Sequence, residues 1–182
     1  MDMSQIIKLD YWMILPLFLL GSTLHFVYEW SKHNRKVAII AAVNESYWEH
    51  IKIAFWPAFI LYISEFIFGG WKISSFIPAK TVSLYIIVIF MISSVFAYKF
   101  VTKRNILPID IGLFGITIFV AQIAGINILR DLSPETVLIT ISAFFLVFIT
   151  VAFTQFTLKP PTEPDIFKDP ITNKYGLKGH KK

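Results

Sequence analysis

The chain has 182 residues, 55% of them hydrophobic and only 16% charged, with a net charge of +5 and a mean hydropathy of +0.64. That is more apolar than a soluble domain of this size needs, so the composition reads as an integral membrane protein of the multi-pass, cell-membrane kind. The absence of cysteine excludes disulfides, thiolate metal sites and cysteine nucleophiles.

Five segments are long enough to cross about 30 Å of hydrocarbon as helices rising 1.5 Å per residue. In chain order they are expected at 11–30, 47–68, 81–100, 106–128 and 135–158. The fold class is therefore an all-α membrane protein, with a five-helix transmembrane domain over 1–158 and a Pro-rich tail over 159–182. The first apolar run carries no basic stretch beyond Lys8 and no small-residue cleavage pattern, so it is expected to stay as a span.

Basic residues set the expected orientation, because Lys and Arg are retained on the cytoplasmic side. The connection after the first span carries Lys32, Arg35 and Lys36, and the connection after the third carries Lys99, Lys103 and Arg104. The tail adds Lys159, Lys168, Lys174, Lys178, Lys181 and Lys182, whereas the opposite side has Lys8, Lys72, Lys80 and Arg130. The N-terminus is expected outside and the C-terminus in the cytoplasm. The charge thus reflects topology, with membrane lipids as partners and no nucleic acid; a homo-oligomer or a larger membrane complex is compatible with it.

Between the first two spans, residues 37–43 are apolar but too few to cross. They are expected to form a short interfacial or re-entrant helix, or the overhanging end of a long kinked one. Asn44-Glu-Ser-Tyr-Trp-Glu-His-Ile-Lys52 follows at the membrane boundary, where ionisable groups are costly and point to a functional site. On one helix, Glu45, Glu49 and Lys52 would share a sector, with Ser46 and His50 beside them. A plainer reading makes Ser46 to Glu49 a capping box, Tyr47 and Trp48 interfacial anchors, and Glu49–Lys52 an i,i+3 ion pair. It leaves Glu45 and His50 unexplained.

The first span brings its own pair to the same boundary, His25 and Glu29 at i,i+4. Tyr28 and Trp30 beside them read as belt residues. The short connection makes the two spans neighbours, so His25, Glu29, Glu45 and His50 are candidate ligands for a divalent Zn, Mn or Fe ion. Glu45, Glu49 and His50 are candidate catalytic groups, with Lys52 and Asp110 in support. A metal with an open position could activate water against a lipid ester or phosphoester at the interface. The same residues could instead bind a polar lipid headgroup, pack as a metal-free hydrogen-bonded network, or serve a small transporter or proton pathway. An accessory scaffold subunit without catalysis is a further alternative. Whether the chain is an enzyme is not decided by the sequence, and no organic cofactor is indicated.

Among the remaining polar residues, Glu65 is expected to pair with Lys72 or Lys80 by snorkelling, and Asp110 to favour a helix N-terminus. Gln122, Gly125 and Asn127 read as helix-packing positions. The tail breaks helical continuation at Pro160, Pro161, Pro164 and Pro170, yet holds Ile166, Phe167, Ile171 and Tyr175, more apolar than a solvated tail requires. It could lie across the mouth of the site as a strap, and His180 within it has no role assigned.

The Asn44 to Lys52 segment, together with Pro160-Pro161, Asp169-Pro170 and Tyr175-Gly176, resembles a family of uncharacterised small prokaryotic integral membrane proteins. These carry an Asn-Glu-Ser-x-Trp-Glu-His-x-Lys segment ahead of a Pro-Pro, Asp-Pro and Tyr-Gly tail. The resemblance implies membership and supplies no catalytic assignment.

Overall fold

The computed structural model describes residues 1–104 and 106–179. Asn105, His180, Lys181 and Lys182 lie outside the described residues. The described residues form five long helices and no strand: α1 (Met3–Trp30), α2 (Tyr47–Ile67), α3 (Phe76–Thr102), α4 (Leu107–Asp131) and α5 (Thr136–Leu158). All five are long and apolar enough to cross a membrane.

α1 and α3 start earlier than hydropathy suggests, by about eight and five residues. α1 begins with a capping box in which Asp2 Oδ1 accepts from Gln5 N at 2.9 Å and Gln5 Oε1 from Asp2 N at 2.9 Å. These reciprocal bonds satisfy backbone donors that would otherwise be orphaned, so the helix extends past Lys8 and Asp10.

The central element is α2: 61% of its most apolar window is buried inside the protein, against 17% in α1 and α5. α1 packs on α2 and α4, and α3 runs along α4 while touching α2 and α5. Two glycines permit the close approaches. A Cβ on Gly21 would meet the Phe114 ring at 2.6 Å, and one on Gly125 would meet Ser83 Cβ at 3.1 Å. The core between the helices is apolar, with Leu17, Phe55, Ile87 and Ile118 all buried along its middle.

At the end of the bundle away from the tail, charge is buried. Lys80 Nζ lies 2.7 and 2.6 Å from the two carboxylate oxygens of Asp10 and 2.7 Å from Glu65 Oε2. The Glu65 contact is an ion pair by distance whose angles are poor for a hydrogen bond, and Glu65 Oε1 has no donor among the described residues. Tyr62 hydroxyl bonds Ser83 and Gln122, and its ring lies 4.3 Å beneath the ammonium. Glu65 thus takes Lys80 rather than Lys72, but inside the bundle rather than by snorkelling, because α3 already begins at Phe76.

At the other end, residues 37–43 form a 3₁₀ turn at Val37–Ile39 followed by irregular backbone, with Ala38, Ala41 and Val43 buried against Tyr28. Tyr28 is accordingly packed inside the protein rather than in a headgroup belt, whereas Trp30 is exposed.

The tail folds back on this end. Phe167 packs on Trp48 with ring centroids 4.9 Å apart and on Phe156 at 5.5 Å. Asp169 accepts from the backbone N–H of Ile171 at 3.2 Å and of Thr172 at 3.0 Å, closing a turn paired by the Lys168–Tyr175 bridge. Trp48, expected as an interfacial anchor, is therefore buried, stacked on Phe153 at 4.5 Å beneath the tail.

Candidate metal centre

The site is built by the turn ahead of α2. Ser46 caps α2 in an extended conformation, so the helix starts at Tyr47 and Glu45 lies outside it. Asn44 Oδ1 accepts from Ser46 N at 2.8 Å, an Asx turn, while its Nδ2 donates to Gly176 O in the tail at 2.9 Å. Glu49 Oε2 accepts from Val43 N at 3.0 Å, and Ala42 N donates to Leu24 O of α1 at 3.3 Å. These bonds hold the turn from behind and press it onto α1.

So held, Glu45 reaches across to both histidines. Its Oε2 is 3.4 Å from His25 Nε2 and 3.8 Å from His50 Nε2, and the two imidazole centroids are 5.2 Å apart. One ligand atom from each of the three residues falls within 4.8 Å of the others, and all three residues are half-buried. His50 Nδ1 sits 2.9 Å from Ser46 O. If Nδ1 carries the proton and donates there, the Nε2 lone pair faces Glu45, the arrangement by which a backbone carbonyl orients a metal-binding imidazole.

The helical wheel expected for residues 45–52 does not hold, because Glu45 precedes the helix. The capping box is also absent: Ser46 makes no side-chain cap bond. Glu49 instead points inward, where its Oε2 is 2.5 Å from Lys52 Nζ. Lys52 in turn donates to Ala38 O at 2.7 Å and contacts Thr157 Oγ1 at 3.4 Å. Glu49 and Lys52 thus form a buried brace joining α2, the 3₁₀ turn and α5, turned away from His25 and His50. Glu29 lies beside His25 on the wall of a hollow of about 250 Å³ that Asn44 and Glu45 also line, exposed and outside the group of three.

Asp110 lines the clefts that also hold Glu45 and His50, and its carboxylate accepts from the Tyr98 hydroxyl. It sits in the first turn of α4, as the dipole argument expects, but its side chain is spent on α3 rather than on a cap. Of the apolar tail residues expected to lie across the site, Ile171 lines its hollow; sequence reasoning missed the neighbouring Asp169, and Asp10 at the far end. For Asp10 the available signal was a matching charge on three spans at one end.

Compared with known proteins, the chain matches one family model, described as Family of unknown function (DUF6512), over residues 1–177. No curated protein and no solved structure matches it.

Proposed function

Because the chain belongs to that family, which brings no activity with it, we propose from the site itself a membrane-embedded metal-dependent hydrolase. One divalent ion, Zn²⁺, Mn²⁺ or Fe²⁺, is held by His25, Glu45 and His50 near the membrane boundary. The distribution of basic residues turns this end of the bundle to the cytoplasm. The observation that carries the reading is the convergence of two imidazoles on one carboxylate from α1, α2 and the turn before α2. Bonds of about 2.0–2.1 Å at tetrahedral angles set neighbouring ligand atoms roughly 3.3–3.4 Å apart; His25 and Glu45 stand at 3.4 Å, while His50 at 3.8 Å from Glu45 would have to draw in on binding. Two histidines and a glutamate leave a fourth position for water, the pattern of catalytic rather than structural zinc.

A metal held by His25, Glu45 and His50 would supply Lewis acidity, lowering the pKa of a bound water and polarising the bond under attack. Hydrolysis there would join the water oxygen to the carbonyl carbon or phosphorus of an ester and break the bond to the alcohol oxygen, one water proton passing to bulk solvent and the other to the departing alkoxide. A proton or ion pathway would need polar groups linking this site to Asp10, Glu65 and Lys80. The apolar layer of Leu17, Phe55, Ile87 and Ile118 between them weighs against it.

Elemental analysis of protein purified in mild detergent without chelator tests the reading. About one equivalent of metal is expected in the wild type and little in a His25→Ala/His50→Ala variant of unchanged helicity. Metal at background in both, after growth with Zn²⁺, Mn²⁺ and Fe²⁺ supplied, would sink it.

A further inference from the structure

Three charged side chains are shut inside the end of the bundle away from the tail: Asp10 of α1, Glu65 of α2 and Lys80 of α3, exposed by 1%, 1% and 2%. Two carboxyls meet one ammonium there, so with all three ionised the cluster holds one negative charge in excess. The neighbours do not supply the missing positive charge. Tyr62 and Ser83 contribute hydroxyls and Gln122 an amide whose Nε2 stands 3.4 Å from Asp10 Oδ1. Lys8, Lys72 and Arg130, further cations towards this end, are exposed, and α5 carries no charged residue. Lys80 is also shared unequally. It bonds both Asp10 oxygens, touches Glu65 Oε2 by distance alone, and leaves Glu65 Oε1 buried without a donor among the described residues.

We propose that Asp10 and Glu65 share one bound proton, which makes this end of the bundle a closed proton-binding site, neutral as a whole. The site is separate from the metal and does not depend on it. Oxygens of both carboxyls lie within 2.7 Å of the same nitrogen, which holds the two groups side by side. Carboxyls crowded onto one counter-charge ionise in turn, so the proton belongs to the pair rather than to either residue. A buried charge without a partner takes up a proton in preference to staying ionised. A metal cation suits the place less well. The adjoining cavity, of about 200 Å³, is walled by Phe59, Ile63, Phe66 and Phe76, with no carboxylate among its described lining residues. The buried layer of Leu17, Phe55, Ile87 and Ile118 parts the cluster from His25, Glu45 and His50, so the proton rests at a terminal site and not on a route between the two ends.

Infrared spectroscopy of the whole protein in detergent at neutral pH, in H₂O and in D₂O, reads the C=O stretch of a protonated carboxyl. The wild type should show the band of one such group, shifted by deuterium. Glu65→Gln and Asp10→Asn each leave a single carboxylate to pair with Lys80, so each should abolish the band, whereas Asp131→Asn, at an exposed position, should keep it. Circular dichroism checks that each variant is folded, and the wild-type spectrum is decisive by itself if one is not. Absence of the band from the wild type, or its survival in a folded Glu65→Gln or Asp10→Asn protein, would overturn the proposal. So would a wild-type band that disappears on adding sodium chloride but not choline chloride, which would give the site to a metal cation.

Discussion

Replacing Lys80 with Met keeps an unbranched side chain of similar length but removes the cation of a buried cluster, together with its contacts to the Tyr62 and Phe76 rings. Lys80 is 2% exposed, and its ammonium lies 2.7 and 2.6 Å from the Asp10 oxygens and 2.7 Å from Glu65, so both carboxylates are stripped of their counter-charge. Removing one partner of a buried ion pair costs about 3–5 kcal/mol, because the charge left behind is neither paired nor solvated. For a chain of this length that is roughly 2–4 °C of melting temperature per kcal/mol, hence a fall of about 6–20 °C. The triple change Asp10→Leu/Glu65→Leu/Lys80→Met removes every charge at once and should recover most of the loss, since buried ion clusters are close to neutral when replaced whole. Thermal unfolding in detergent followed by circular dichroism measures both. A Lys80→Met protein within about 1 kcal/mol of wild type, or a triple variant no better than the single one, would refute the assignment of a closed, mutually compensating cluster.

Glu49→Gln should destabilise by about 3–5 kcal/mol through the uncompensated Lys52, yet leave metal content unchanged; unfolding and elemental analysis on one sample separate the two effects. Glu45→Gln should weaken metal binding by roughly 70- to 900-fold, since about 10–16 kcal/mol shared among four coordination positions, one of them water, gives some 2.5–4 kcal/mol for each. Competition with a fluorescent chelator reads this out, and unchanged affinity would remove Glu45 from the ligand set. Phe167→Ala deletes the ring seated between Trp48 and Phe156, at a cost of about 3–5 kcal/mol to tail docking. Trypsin should then cut faster at Lys168 and Lys174, and an unchanged cleavage rate would show that the ring does not hold the tail.

Hydropathy made the five helices legible, because the length of hydrocarbon to be crossed leaves little freedom in where apolar runs begin and end. It misplaced the starts of α1 and α3 for the same reason: charged Asp10 and Lys80 look like loop residues until each is seen to be the partner of the other. The metal candidates were legible as residue types, but their geometry was not. A uniform helical wheel grouped Glu45 with Glu49, whereas the Asx turn at Asn44 throws Glu45 out of the helix and onto His25 and His50. Glu49, the motif's other carboxylate, is a brace. The i,i+3 spacing did encode the Glu49–Lys52 ion pair, but not that it turns inward and that Glu49 also takes the backbone N–H of Val43.

The cluster of Asp10, Glu65 and Lys80 also orders events during synthesis. Seventy residues separate Asp10 from Lys80, which at about 5–20 residues per second is roughly 4–14 s of translation. Throughout that interval α1 and then α2 present an acidic group to the insertion machinery with no ammonium to meet it, each disfavouring hydrocarbon by up to about 3.5 kcal/mol. The first two helices therefore carry a carboxylate each that is matched only once the third has been made.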